Sequence, residues 1–489
     1  MAVSPLSPFT DLKRIHFVGI GGAGMSGIAE ILREYNREHD LEVSGCDLAE
    51  SEVTDRLREL GIRVEMGHSP DHLEDVDLLV ISSAVAEGNA EVKEARRRGI
   101  TVVRRAEMLG ELMRLKYGIG IAGTHGKTTT TSLVGTVLTE AQLDPTVIVG
   151  GRLRLLGTGA RLGTSDYLVA EADEFDRSFL RLTPVIAVIT NVDRDHLDTY
   201  GSLEAIQDAF VEFANRVPFF GRLIVCLDDP GVQRILPRVL DRRIITYGFS
   251  PQADVTAYDL EVHPGGSRFG VRLRGDRRLG RIDLGRIELP IPGRHNVLNA
   301  LAAVGVGLSL RIDFDTITKA IAGFEGVHRR FEHIGTWRGA AVIDDYAHHP
   351  TEVDATLQAA RQSFAGGRVF AVFQPHLYSR TQDQIEEFGR ALLAADMVVV
   401  TDIYPSREKP IPGVTGELLV ESARRHGHRN VHFCPAWKDA PALLDEAGEG
   451  DVVITLGAGD VNRLGQALVA EKGRKKAPAK ARAGKGRKS

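Results

Sequence analysis

The sequence predicts an α/β protein of three successive units, each built on a parallel sheet, and three observations carry that prediction. Apolar β-branched runs alternate with helix-forming segments from residue 14 to about residue 470. Polar clusters follow those runs directly, where open parallel sheets place their ligands. A chain of 489 residues is too long for one ordinary core and suggests roughly three domains.

Composition narrows the class. An apolar content of 43% and a charged content of 26% are those of a soluble globular protein. No run of eighteen apolar residues occurs, and Met1 to Thr10 lacks a basic start and apolar middle, so a cytoplasmic location is expected. Cys46, Cys226 and Cys434 are scattered without metal-ligand spacing and are expected to be reduced, buried and structural. The net charge of −5 hides an asymmetry, because nine Lys or Arg fall between Lys472 and Ser489 and one acid, Glu471, precedes them. The body therefore carries 52 basic against 65 acidic residues, which argues against a nucleic-acid groove. Residues 471–489 are too poor in apolar side chains to fold; a disordered solubilising end and a weak contact with nucleic acid or anionic lipid are both open.

The first unit is expected over residues 1–116. Arg14 to Val18 reads as a strand that enters Gly19-Ile20-Gly21-Gly22-Ala23-Gly24 and then a helix to about Glu34, with Asp47 ending the next apolar run. Such a G-x-G-x-x-G turn can hold a dinucleotide, or another diphosphate, or serve as a tight βα connection. Ser82 and Ser83 lie just past the strand Asp77 to Ile81, at the ligand-binding end of such a sheet.

The second unit, 117–325, opens with the strand Tyr117 to Ala122. The turn Gly123-Thr124-His125-Gly126-Lys127-Thr128-Thr129 follows, and a helix is expected from Ser132 to about Glu140. Glycines there let backbone N–H groups surround a polyphosphate, Lys127 can reach its β- and γ-phosphates, and the Thr128 hydroxyl can ligate Mg²⁺. The strand Asp166 to Ala170 delivers Glu171, Asp173, Glu174 and Asp176, four carboxylates that need cations if they share a low-dielectric cleft. The strand Val185 to Thr190 delivers Asn191-Val192-Asp193-Arg194-Asp195-His196; His196 is read either as a metal ligand or as a structural hydrogen bonder. Short β runs from Asp254 to about Leu289 are expected as hairpins. Asn296 and Asn299, three apart, share a helical face, where amides could read a base edge or one could cap the helix.

In the third unit, 326–470, Arg329 and Arg330 form a basic pair suited to phosphate or to an exposed linker. Four apolar runs then release polar clusters: Asp344-Asp345-Tyr346-Ala347-His348-His349, Gln374-Pro375-His376-Leu377-Tyr378-Ser379-Arg380, Asp402-Ile403-Tyr404, and Gly457-Ala458-Gly459-Asp460. Their regular placement predicts a functional rim.

Taken in order, GIGGAGMSGIAE, GTHGKTTT, EADEFDRSFL, NVDRDHLDTY, PGRHNVLNALAA, RRFE, DDYAHHPTE, FQPHLYSR, DIYPSREKPIPGVTG and GAGD resemble the Mur ligase family from about Ile15 to Gln466. The resemblance implies Rossmann-like first and third domains flanking a P-loop ATP-binding domain, and a cytoplasmic enzyme that uses ATP and Mg²⁺. The reaction it implies joins L-alanine to the lactyl carboxylate of UDP-N-acetylmuramate through an acyl phosphate. It replaces the dinucleotide by a UDP-sugar at Gly19, Gly21, Gly22, Gly24 and Met25, with Asp47, Ser82 and Ser83 beside it. It places ATP at Gly123 to Thr129, Asn296, Asn299, Arg329 and Asp345, and metal at Thr128, Glu171 and His196. Lys127, Glu171, His196, His348 and Arg380 would be catalytic, while Tyr346, His376 and Arg380 would face the muramyl group and the alanine carboxylate. Several relatives carry a carbamylated lysine after the D-x-D-H segment; here no Lys occurs from His196 to Val239. A recycled tripeptide in place of alanine, a folate polyglutamate ligase, an oxidoreductase and a nucleotide-gated binding protein are the alternatives.

Overall fold

The computed structural model describes residues 12–22, 24–35, 41–82, 84–149, 160–275, 280–406 and 408–471. The expectations placed on Met1 to Thr10, on Ser83 and on the tail after Glu471 lie outside the described residues. Backbone contacts divide the chain into two units, Met1–His328 and Arg329–Ser489. The first holds two sheets and the second holds one. No helix among the described residues is long and apolar enough to cross a membrane.

The first sheet is five-stranded, in the order Arg63–Met66, Glu42–Asp47, Arg14–Val18, Leu78–Ile81, Thr101–Arg104, and every pairing is parallel. The chain starts at the centre, moves to one edge and returns to the other. The turn after Arg14–Val18 therefore sits at the switch point, where neighbouring connections diverge and leave a crevice. Alternation splits the central strand: Ile15 and Phe17 join a core with Ile28 and Leu32 of helix Met25–Tyr35, while Val18 packs with Val92 and Ala95 of helix Ala90–Arg98 on the opposite face.

The second sheet has ten strands. Its parallel centre runs Ile244–Gly248, Arg222–Cys226, Ile186–Ile189, Tyr117–Ala122, Tyr167–Glu171, Thr146–Ile148. The expected hairpins, Val255–His263, Gly266–Arg274 and Arg281–Leu289, are antiparallel to one another and extend this sheet at one edge. Helices Lys127–Glu140 and Arg294–Ser309 are buried over most of their length against each other and the sheet, with Leu133, Val137, Val297, Leu301 and Val304 fully covered. The first of these begins five residues earlier than the sequence predicts. The four threonines that disfavour helix in isolation are mostly buried here, where packing outweighs propensity.

The third sheet, in the second unit, runs Glu332–Trp337, Ala340–Asp345, Val452–Leu456, Val369–Phe373, Met397–Val400, Val431–Phe433. All pairings are parallel except the edge strand Glu332–Trp337, which the sequence reading did not anticipate. The four runs that release polar clusters are thus adjacent and parallel, so their carboxyl ends form one rim.

Phe179, fully buried in the short helix Ser178–Arg181, has its ring stacked 5.1 Å from Phe213 and edge-on 5.2 Å from Phe210, and its N–H donates to the Asp173 carbonyl at 3.1 Å. It anchors the acidic loop to the core. Phe179→Ala is expected to lower stability by about 3–5 kcal/mol, read as a fall in denaturation midpoint; an unchanged midpoint would refute the anchoring role.

Candidate functional site

Three neighbouring strands build the first part of the site. Tyr117–Ala122 lies between Ile186–Ile189 and Tyr167–Glu171, all parallel. The glycine-rich turn, the D-x-D-H segment and the acidic run therefore leave the sheet side by side. Gly126 adopts φ +79°, the left-handed region that favours glycine, and a Cβ there would come 2.5 Å from the Asn299 side-chain oxygen.

The turn is held by the neighbouring strand's exit. His125 N–H donates to Asn191 Oδ1 at 2.8 Å, and Asn191 Nδ2 returns a bond to the His125 carbonyl at 3.0 Å. Thr190 Oγ1 donates to that carbonyl at 2.6 Å, Asp193 N–H donates to Thr124 Oγ1 at 2.9 Å, and the His125 ring lies 3.2 Å from Asp193 Oδ2. Thr190, Asn191 and Asp193 thus brace the glycine-rich turn.

Lys127 is tied down at the base of the turn. Its ammonium donates to the Gly123 and Thr124 carbonyls at 2.8 and 3.2 Å and to both Glu174 oxygens at 2.9 and 2.7 Å. Burial works against its charge, but Glu174, Asp173 and Glu171 outweigh that and hold it above its ordinary value. Burial lifts the Glu174 carboxyl to about 7, with Asp173 adding to the rise and the ammonium opposing it. Glu174 is thus the residue that the sequence reading left without a role; nothing distinguishes it from the other three carboxylates before the chain is folded. Asp173 and Asp176 accept from the N–H groups of Phe175 and Ser178, so two of the four order their own loop.

His196, with φ +54°, opens the short helix Leu197–Tyr200 and brings Nε2 to 3.7 Å from Glu174 Oε1 and 3.6 Å from Asp195 Oδ2. Phe175 meets its ring edge-on at 5.0 Å. The donor set fits Mg²⁺: Glu171 ends its strand and Thr128 lies in the first turn of helix Lys127–Glu140, both hard oxygen donors, and the His196 imidazole lies among the Glu174 and Asp195 carboxylates. Asn296 and Asn299 are buried on one helical face. Asn299 Oδ1 accepts from Thr130 Oγ1 at 3.2 Å, its amide donates to Asn296 Oδ1 at 3.3 Å, and Asn296 donates to the Pro292 carbonyl at 2.8 Å. Gly293, and neither asparagine, occupies the helix cap.

In the glycine-rich turn of the first sheet, Gly21 N–H donates to Asp47 Oδ2 at 2.9 Å, and Gly19 lies beside Ser82. Asp47 Oδ1 accepts from Leu48 N–H at 2.8 Å, so this carboxylate shapes the turn. Met25 N–H donates to the Gly22 carbonyl at 3.1 Å. Its side chain is 1% exposed within the core formed with Ile28, Ala29 and Leu32, so only its backbone can face a ligand. The i, i+3, i+4, i+7 spacing of those four residues carried that signal.

The second unit gathers its own cluster. Rings of Tyr346 and His348 lie 5.3 Å apart, those of His348 and His376 5.6 Å, and those of His376 and Tyr404 6.0 Å. Arg380, 8% exposed, donates to His376 Nδ1 at 3.4 Å. Tyr404, to which the sequence assigns no role, follows the strand Met397–Val400, which pairs with Val369–Phe373. His348 accepts no proton readily: burial, reinforced by Arg380 and His376 and opposed by Glu352, takes its pKa down to about 3. Its Nδ1 donates to the Tyr346 carbonyl at 2.9 Å. Arg329 is committed within this unit to Asp344 at 3.0 Å and to the Gly457 and Gly459 carbonyls at 2.6 and 3.2 Å, so the exposed-linker alternative does not hold. Asp345 accepts from the Phe331 and Ala347 N–H groups at 2.7 Å each and is pushed up to about 6 by burial.

Comparison with known proteins accounts for nearly the whole chain. Residues 14–117 match the Mur ligase family catalytic domain, 121–307 the Mur ligase middle domain and 329–459 the Mur ligase glutamate ligase domain. UDP-N-acetylmuramate–L-alanine ligase of Sorangium cellulosum is 53% identical over 462 residues, 94% of this chain and 96% of that protein. The enzyme of the same name from Salinibacter ruber is 52% identical over 460 residues, 94% of each chain. The crystal structure of UDP-N-acetylmuramate-alanine ligase MurC from Thermotoga maritima superposes with a TM-score of 0.75 at 31% identity, covering 94% of this chain and 99% of that one. A murein peptide ligase from Psychrobacter arcticus shares the fold, with a TM-score of 0.67 at 24% identity over 95% of this chain and 100% of its own. With a phosphate turn, acidic run and D-x-D-H segment leaving three adjacent strands, and with matches in order from residue 14 to 459, the chain belongs to the Mur ligase family.

Proposed function

We propose that the chain is a cytoplasmic ligase that uses ATP to join L-alanine to the lactyl carboxylate of UDP-N-acetylmuramate, giving UDP-N-acetylmuramoyl-L-alanine, ADP and phosphate. The observation that carries the phosphoryl-transfer half is the delivery of Lys127, Glu171 and His196 from one sheet rim. The acceptor rests on relatives of that name at 53% and 52% identity over nearly their full length.

A carboxylate is too electron-rich to accept an amine, so a lactyl oxygen first attacks the γ-phosphorus and ADP departs. The alanine nitrogen then attacks the acyl carbon of the resulting acyl phosphate, and phosphate leaves from the tetrahedral intermediate. Lys127, parked on Glu174, would transfer its ammonium to the β- and γ-phosphates, exchanging one anionic partner for another. The backbone N–H groups at the start of helix Lys127–Glu140 would take the remaining phosphate charge. Thr128, Glu171 and His196 would hold Mg²⁺, which supplies charge neutralisation at the phosphate oxygens. Gly19 to Gly24, with Asp47 and Ser82, would cradle the UDP diphosphate at the switch point.

The rim of the second unit suits the amino acid. Arg380 offers a planar fork to the alanine carboxylate, and His376 and Tyr346 bound the same cluster. His348, whose Nδ1 donates to the Tyr346 carbonyl, keeps Nε2 as an acceptor toward a neutral amine. With a pKa near 3 it orients the amine and does not retain the proton.

The deciding experiment measures phosphate release from ATP and Mg²⁺ with UDP-N-acetylmuramate and each amino acid or the recycled tripeptide in turn. Release with L-alanine and a product heavier by one alanyl residue is expected; release with the tripeptide alone would overturn the acceptor. Lys127→Ala is expected to lower turnover on the order of 10²–10³-fold or more with circular dichroism unchanged, and full activity would overturn the phosphate-loop reading. The His348 ring should show no titration by NMR through pH 6.5, its ordinary midpoint. Because the unfolded chain takes up that proton below 6.5 and the folded one only near 3, this residue removes stability as pH falls through that window. A His348 resonance titrating near 6.5 would contradict both statements.

A further inference from the structure

The domain built on the first sheet holds a second cluster of ligating side chains that the reaction above does not use. His16 on the central strand Arg14–Val18, Cys46 on Glu42–Asp47, His72 in the short helix Pro70–Leu73 and Glu91 at the start of Ala90–Arg98 converge from four elements. One ligand atom from each lies within 4.8 Å of all the others. Glu91 is fully buried, and its carboxylate meets the His72 Nδ1 at 2.6 Å and the Cys46 sulfur at 3.1 Å.

The arrangement leaves one group unexplained. His16 is 1% exposed; its Nδ1 lies 2.9 Å from Ser44 Oγ, while Nε2 is buried and makes no hydrogen bond. A buried ring nitrogen without a partner is destabilising, and a network built only for packing would not need it. The donors are one thiol, two imidazoles and one carboxylate, the set that suits zinc and the later divalent transition metals and not Mg²⁺. A thiolate and a carboxylate together neutralise a dication, so the filled site would bury no net charge.

We propose that His16 Nε2, Cys46 Sγ, the His72 ring and one Glu91 oxygen form a four-coordinate structural site for a zinc-class divalent ion. Tetrahedral zinc, with bonds of about 2.0–2.3 Å, sets its ligand atoms about 3.3–3.8 Å apart, so on binding the His72–Glu91 pair, 2.6 Å apart here, would open while the wider pairs, all within 4.8 Å, would close. On binding, the Cys46 S–H bond breaks, its electron pair forms the sulfur–metal bond, and the proton leaves to solvent by way of the part-exposed His68, whose Nδ1 is 3.2 Å from the sulfur. The site lies directly under the glycine-rich turn, because the Cys46 carbonyl accepts from Gly19 and Ile20 N–H at 2.8 and 3.0 Å. Filling it fastens the two strands that feed the switch point to the helix beside them.

The test uses the full chain, stripped with a strong chelator and kept in excess Mg²⁺ so that hard oxygen sites are filled. Zinc titrated against a chromophoric chelator is expected to bind at one equivalent. Cobalt(II) is expected to give tetrahedral ligand-field bands and a sulfur-to-metal charge-transfer band that Cys46→Ser abolishes. His72→Gln should weaken zinc binding at least about 10–100-fold. Circular dichroism and melting of the metal-free proteins establish that the variants fold. No uptake by the wild-type chain, or a charge-transfer band surviving Cys46→Ser, overturns the site. Should Cys46→Ser not fold, unchanged zinc affinity in His72→Gln overturns it alone.

Discussion

The first unit depends on keeping one ammonium buried beside a phosphate turn before any phosphate arrives. Lys127 sits at the start of a helix whose terminus already carries partial positive charge, and in this position an unpaired cation would be costly. Glu174 supplies the missing charge from the loop after the adjacent strand, and Glu171 and Asp173 add to it. The pairing explains why Tyr117–Ala122 and Tyr167–Glu171 must be neighbours, and why the acidic loop must be anchored by Phe179. A polyphosphate can then compete for Lys127 by offering the same kind of charge.

Bracing from the other neighbour is of a different kind. Thr190, Asn191 and Asp193 make directional hydrogen bonds to the turn, which fix its shape without adding net charge at its centre. Asn299 closes in from a distant helix and occupies the space a Cβ at Gly126 would need. The turn is thus specified from three directions by residues that follow it by about 50 to 170 positions. The second unit repeats the principle at its own rim, where Arg329 ties Asp344 to the loop after Val452–Leu456 and burial keeps His348 neutral.

The relation between sequence and structure differs from residue to residue for physical reasons. Strands such as Arg14–Val18 and Tyr117–Ala122 match the sequence expectation to the residue, because apolar runs bounded by glycine or polar clusters have few other ways to be buried. Met25 turns its side chain into the core, as its helical periodicity with Ile28, Ala29 and Leu32 implies. Glu174 could not be singled out among four carboxylates, because which one turns inward depends on the loop's path. Asn296 and Asn299 were correctly placed on one face, but a face does not say what it meets.

By itself the sequence determined the alternation of strands and helices, the switch-point turn, the phosphate turn and the family, all properties set by local pattern and order along the chain. Tertiary structure alone decided pairings between distant residues. Lys127 with Glu174, His348 with His376, and His16 with Cys46, His72 and Glu91 share no spacing motif, since they meet only where separate elements converge. The reason is that hydrophobic periodicity states which side of an element is buried, whereas charge and ligand chemistry act over a few ångströms and depend on which elements are brought together.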